Sequence, residues 1–190
     1  MGGPAAGLWL PREQSALDAL PWLESFCEVR IESGDSLEFH VRDPAVLGLP
    51  RPRRDRSCAF SLGPESLEDY RELGFPGLGR WPAAELCLLA HCSGKDDHLL
   101  LGRLALSLAE RFGALIDFGG LLGYRYSLYG VTDEERAVCL ARSRGLVASL
   151  PGRVWEMPYA TGDGVCGYSH VADREFLAAW LDHREFRMIK

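Results

Sequence analysis

A chain of 190 residues with 47% hydrophobic and 25% charged residues has the make-up of one folded domain, which excludes a disordered tail, a collagen-like rod and a long coiled coil. Its net charge of −6 argues against a phosphate-backbone binder, because such proteins gather Lys and Arg to release counterions; nucleic acid is not expected, and the acidic surface is consistent equally with solubility or with a basic partner. Apolar runs such as Leu86 to Ala90 and Leu99 to Leu101 fall far short of the roughly 20 residues that span a bilayer, so no membrane partner is expected either.

In chain order, Ala5 to Leu10 predicts a strand stopped by Pro11, and Gln14 to Phe26 carries Leu17, Leu20 and Trp22 or Leu23 at near-helical spacing, interrupted by Pro21. Cys27 to Glu32 and Leu37 to Arg42 alternate around Ser33-Gly34-Asp35, the pattern of a hairpin with one wet face. The Pro- and Arg-rich stretch Asp43 to Asp55 reads as a surface loop, with Arg51, Arg53, Arg54 and Arg56 solvated in it. A short strand at Cys58 to Leu62 leads to a short helix at Ser66 to Leu73 with Ser66 as its cap, and Glu85 to His91 is a mostly apolar run of strand length that could equally begin a helix.

The clearest helix follows Ser93-Gly94-Lys95-Asp96-Asp97. Leu100, Leu101, Leu104, Ala105, Leu108, Ala109 and Phe112 recur at three- and four-residue spacing, two aspartates sit at the positive end of the dipole, and Gly113 stops the helix. Ala114 to Phe118 predicts a buried strand, and Thr132 to Leu146 a helix opened by a capping box between Thr132 and Glu135. Val154 to Ala160 and Val165 to Val171 suggest a second hairpin across Thr161-Gly162-Asp163-Gly164, and a last helix runs from Asp173 to about His183. This order predicts a single α+β domain over residues 1–190: a two-layer sandwich whose mixed or mainly antiparallel sheet is covered by helices.

Six cysteines without a CxxC pair, in a chain able to bury its own core, read as free thiols. The N-terminal segment lacks the basic and long apolar regions of a signal peptide, which points to the cytoplasm.

Chemistry-bearing residues gather in two places. His91-Cys92-Ser93-Gly94-Lys95-Asp96-Asp97-His98 places imidazole, thiol and carboxylate between a strand and the core helix, where they serve either a metal or an acid/base pair, or merely cap the helix. Neither spacing matches HExxH or paired CxxC motifs, so no metal and no cofactor are expected. Asp117 lies in the apolar run Leu115-Ile116-Asp117-Phe118 and needs a partner: a catalytic role, or backbone N–H donors from the turn at Gly119-Gly120. His98, Asp117 and His170 are therefore the catalytic candidates. P-loop, GxSxG and Rossmann fingerprints are absent. The aromatic residues Tyr124, Tyr126, Trp155, Tyr159 and Tyr168, concentrated in the second half, are the candidate binding surface.

The run DHLLLGRLALSLAERFGALIDFGGLL (97–122), the run LPGRVWEMPYATGDGVCGYSHVADREFLAAWLDH (150–183), the ending FRMIK (186–190) and, earlier, GLWL and HVRDPAVLGL resemble an uncharacterised bacterial family of similar length, a domain of unknown function. That family brings no assigned activity, ligand or active site. In size and charge the chain is also loosely similar to immunity proteins encoded beside secreted toxins, which implies a protein partner. Two expectations follow: a non-enzymatic protein-binding module of immunity type, or a small cytoplasmic enzyme with an acid/base or metal site around His91 to His98 and Asp117.

Overall fold

A computed structural model of the chain describes residues 3–32, 34–50, 58–71, 73–123, 132–160 and 166–189. Eight strands form one sheet: β1 (Ala5–Leu10), β2 (Cys27–Ile31), β3 (Leu37–Val41), β4 (Ala59–Glu65), β5 (Ala84–Ala90), β6 (Leu115–Asp117), β7 (Val154–Ala160) and β8 (Cys166–Ala172). Their order is β2-β3-β4-β5-β1-β6-β8-β7, and every pairing is antiparallel. With five helices, α1 (Leu20–Glu24), α2 (Glu68–Arg71), α3 (Lys95–Phe112), α4 (Asp133–Ala148) and α5 (Arg174–Leu181), the fold is α+β.

The two-residue alternation of β1 organises both sides of the sheet. Ala6, Leu8 and Leu10 are buried in the main core together with Leu86, Leu88 and Ile116 of the neighbouring strands. The apolar stripe of α3, Leu101, Leu104, Ala105, Leu108 and Ala109, is fully buried in the same core, joined there by Phe176, Leu177 and Trp180 of α5. Each of these leucines contributes roughly 1.5–3 kcal/mol by leaving water, so helix periodicity and strand alternation lock one another in place.

Gly94 has extended backbone before α3, and its N–H donates to Asp97 Oδ2 at 2.7 Å, which satisfies one orphan donor of the first turn. At the other end Gly113 adopts φ 67° and sends its N–H to the Ala109 carbonyl, a left-handed stop that favours glycine.

The opposite face carries a smaller cluster of Trp9, Leu67, Phe75, Met157 and Val171. Among the described residues α2 and the segment around Phe75 and Leu78 cover it, a smaller cover than the helices give the main core. The helix read across Gln14 to Phe26 is divided in two: a 3₁₀ turn at Ala16–Ala19 precedes α1, and Pro21 falls in the first turn of α1, where no N–H is needed. Within the expected loop, Pro44–Leu47 forms a 3₁₀ turn. The Arg51, Arg53, Arg54 and Arg56 cluster lies outside the described residues.

The capping box of α4 forms as expected, with the Thr132 N–H donating to Glu135 Oε2 at 2.9 Å and the Glu135 N–H to Thr132 Oγ1 at 3.2 Å. Yet only Ser143 of this helix is buried. The helix docks through half-buried Leu146 and Val147 against the main core and through polar contacts, Ser143 Oγ donating to the Leu122 carbonyl at 2.7 Å and Arg144 pairing with Glu156. Among the described residues no helix is long and apolar enough to cross a membrane.

Truncating Leu104 to Ala is expected to lower the unfolding free energy by about 2–5 kcal/mol, through lost transfer energy and the cavity left under α3. Urea unfolding followed by circular dichroism checks this; a loss below about 1 kcal/mol would mean that α3 does not pack as described.

Candidate functional site

On the partly covered face the strand register sets a row of residues side by side: Gly63 opposite Cys87, Cys87 opposite Gly7, Gly7 opposite Asp117, and Asp117 opposite Val171. Gly7 is the small residue that the arrangement requires. A Cβ there would stand 2.3 Å from Glu85 Oε1 and 3.0 Å from the Asp117 Cβ. Without a side chain at this position, carboxyl groups from β5 and β6 converge over the middle of β1.

Both acids are withdrawn from water, Glu85 to 6% and Asp117 to 3% exposure, where a charge needs donors. Asp117 has three. Tyr70 of α2 donates its hydroxyl to Oδ2 at 2.5 Å, the Gly119 N–H donates to Oδ1 at 2.9 Å, and the Ser169 hydroxyl of β8 donates to Oδ1. Glu85 has one, the Trp9 indole N–H at 3.2 Å from Oε1.

The electrostatics follow from that imbalance. Burial, reinforced by the negative charge of Asp117, pushes the Glu85 carboxyl up to about 8, while the Trp9 hydrogen bond pulls it back. Burial also raises Asp117, against the bonds from Ser169, Tyr70 and Gly119. Tyr70 is raised by burial and by the adjacent Asp117 carboxylate, so it stays a donor. Burial, and behind it the charges of Glu65, Glu85 and Asp117, lifts the Cys87 thiol to about 11. A neutral Glu85 beside a hydrogen-bonded Asp117 is an arrangement able to give up or take a proton near neutral pH.

The three catalytic candidates occupy three separate places. Asp117 is in the acid pair just described, with the Gly119 donor that its sequence context suggests. His98, in the first turn of α3, accepts the Met188 N–H at Nδ1 (3.1 Å) and faces Ser93 Oγ with Nε2 (3.4 Å), fastening the C-terminal tail. His170 points to the helical side of β8, accepts the Leu122 N–H at Nδ1 (3.0 Å), and has Glu156 Oε1 3.9 Å from Nε2. Burial lowers its imidazole to about 4, so it is a neutral clip holding the turn after β6.

His170, Glu156 and Arg144 line a cleft of about 490 Å³ with Trp155 and Gly77. Arg144 holds Glu156 by two bonds of 2.7 and 2.8 Å.

The aromatic candidates divide as well. Trp155 donates its indole N–H to the Gly77 carbonyl at 3.2 Å, and Tyr159 packs on Tyr70 with ring centroids 5.7 Å apart, both on the partly covered face. Tyr168, 47% exposed, is next to Gly167, the register partner of Tyr159, and so projects from the other side. Tyr124 and Tyr126 lie outside the described residues.

Sequence reasoning missed Glu85, Tyr70, Ser169 and Trp9. The available signals were an acid opening the apolar run of β5 and a glycine inside the β1 pattern. Among the described residues, Cys58, Cys92 and Asp97 have the spacing to hold a metal ion.

A second cleft, of about 380 Å³, opens at the Glu85 end of the acid pair, and its rim carries Glu13, Asp35, Glu65, Glu68 and one basic residue, Arg71. The rim residues are exposed.

The Glu85 shift fixes a pH dependence. Its carboxyl group titrates at about 8 in the fold against an ordinary value of 4.5, so folding favours the protonated form, and the stability this confers is complete below 4.5 and lost as pH rises through about 8. Chemical unfolding between pH 5 and pH 9 is therefore expected to show falling stability, and Glu85→Gln, which keeps an acceptor for Trp9, is expected to flatten the fall. An equally steep profile in the variant would assign the effect elsewhere.

No curated protein and no solved structure matches the chain. One family model does, described as a family of unknown function (DUF6368), and it matches residues 2–190. With all but its first residue aligned to that model, the chain belongs to this family of unknown function.

Proposed function

We propose that this protein is a non-enzymatic protein-binding module of immunity type, which receives a basic, arginine-bearing segment of another protein in the cleft beside Glu85. The observation that carries this reading is the charge of the rim: four exposed carboxylates, from Glu13, Asp35, Glu65 and Glu68, against the single guanidinium of Arg71. Such a field speeds encounter with cations and disfavours acidic competitors.

Two further features support it. Trp81, 57% exposed, packs edge-on against Phe75 with ring centroids 5.0 Å apart, and an exposed tryptophan is a side chain that protein interfaces favour. The separate placement of His98, Asp117 and His170 leaves no assembled catalytic set of the kind their sequence positions suggest.

Fluorescence anisotropy with an arginine-rich peptide and an acidic peptide of equal length tests the proposal. The basic peptide is expected to bind with strong salt dependence, and the double variant Glu65→Lys, Glu68→Lys to weaken it about tenfold, equivalent to about 1.4 kcal/mol, with unchanged thermal unfolding. Equal binding of both peptides, or no response to charge reversal, would overturn it.

A second reading, a small acid/base enzyme, is favoured by one observation: Glu85, pushed up to about 8, also lines the cleft. Turnover of a small-molecule panel that disappears in Glu85→Gln, in a protein that shows no charge-selective peptide binding, would select that reading over the first.

A further inference from the structure

At the far end of the β4–β5 pair from the acidic cleft, the ladder sets two cysteines face to face. Phe60 pairs with Ala90, and the His91 N–H continues the ladder to the Ala59 carbonyl at 2.8 Å. The next residues outward on the two strands are Cys58 and Cys92, and by strand alternation both project to the same side as Phe60 and Ala90, toward α3. The Cys92 backbone is tied to the Cys58 side chain, its N–H donating to Cys58 Sγ at 3.0 Å.

After Cys92 the chain turns through Ser93 and Gly94 into α3, and the bond from the Gly94 N–H to Asp97 Oδ2 folds the Asp97 carboxylate back over the turn. One ligand atom each from Cys58, Cys92 and Asp97 lies within 4.8 Å of the other two. Cys58, just before β4, and Cys92 and Asp97, at the turn into α3, thereby bring their ligand atoms together.

We propose that Cys58, Cys92 and Asp97 form a binding site for a thiophilic divalent cation of the zinc class, with the fourth position left to solvent. Zinc–sulfur bonds of about 2.3 Å and zinc–oxygen bonds of about 2.0–2.2 Å at tetrahedral angles place the ligand atoms roughly 3.5–3.8 Å apart, inside the spacing already present. Two soft sulfurs select zinc, cobalt or a similar ion over magnesium and calcium, which take oxygen ligands. Cys58 is buried, Asp97 half-buried and Cys92 exposed, so the site has a rigid inner ligand and an open entrance.

Loading balances simply: the divalent ion replaces the two thiol protons, which pass to solvent, and no oxidation takes place. His98, although adjacent, is engaged with Met188 and Ser93 and is not part of the donor set. The site is independent of the acidic cleft, since it lies at the opposite end of β4 and β5.

The test is a titration of the chelator-stripped, reduced protein with cobalt(II) alone, followed by zinc. One cobalt per chain is expected, with a thiolate-to-cobalt charge-transfer band and visible bands of tetrahedral intensity that zinc abolishes. Cys92→Ser, at an exposed position, is expected to lose the charge-transfer intensity of one thiolate and to bind cobalt at least about tenfold more weakly, while Cys139→Ser leaves the titration unchanged. Cys58→Ser serves as the second variant, with circular dichroism confirming its fold.

Absence of the charge-transfer band in the reduced protein would overturn the proposal. So would a band of undiminished intensity in Cys92→Ser, or recovery of the two thiols only as a disulfide with no cobalt retained.

Discussion

β1 is the strand on which both sides of the molecule rest. Its neighbours β5 and β6 flank it in an antiparallel sheet, and alternate residues answer opposite demands. Leu8 and Leu10 complete an apolar surface for α3, while Gly7 and Trp9 make room for, and donate to, a buried carboxyl pair. A one-residue slip of this strand would send leucines into the acid pair and leave a glycine under the core helix. The register is therefore defended from both faces: hydrophobic burial is the larger energy, and the need to satisfy buried carboxyl groups adds specificity.

The same constraint separates what the sequence discloses from what it conceals. Periodicity read α3 and its capping without ambiguity because its stripe faces a single continuous core, and the hairpin of β2 and β3 was legible for the corresponding reason at period two. α4 was legible from the Thr132 and Glu135 capping box alone, yet its weak amphipathic character left no clue that it docks through Ser143 and Arg144. The need of Asp117 for a partner could be read from its apolar neighbours. That two of the donors are Tyr70 and Ser169, 47 and 52 positions away in the chain, could not, since no local pattern encodes which strands become neighbours in a sheet of order β2-β3-β4-β5-β1-β6-β8-β7. Cys58 and Cys92 are concealed in the same way: 34 positions apart, they show none of the short spacing by which metal ligands are usually recognised.

The polar groups of the fold fall into distinct duties. His170 and Ser143 both bond the Leu122 backbone, a clip that holds the turn after β6, and His98 anchors the tail near Met188. These imidazoles are committed to backbone partners, which accounts for their separation in space. The acid pair differs. Asp117 is saturated with donors, whereas Glu85 has a single indole and a negative neighbour, and it reaches a cleft with an acidic rim. The proposed binding of a basic partner draws on the rim, and the neutral Glu85 at the inner end keeps the floor of the cleft from carrying a further buried charge.

The carboxyl pair over Gly7 is best examined through the side-chain carboxyl carbons of Glu85 and Asp117 in a carbon-13-labelled sample, followed by NMR from pH 3 to pH 10. Glu85 is expected to titrate at about 8, with Asp117 above its ordinary value of 3.8. Midpoints near 4.5 and 3.8 for the two groups would show both carboxylates to be solvated, and would contradict the burial on which the register of β1 and the reading of the cleft depend.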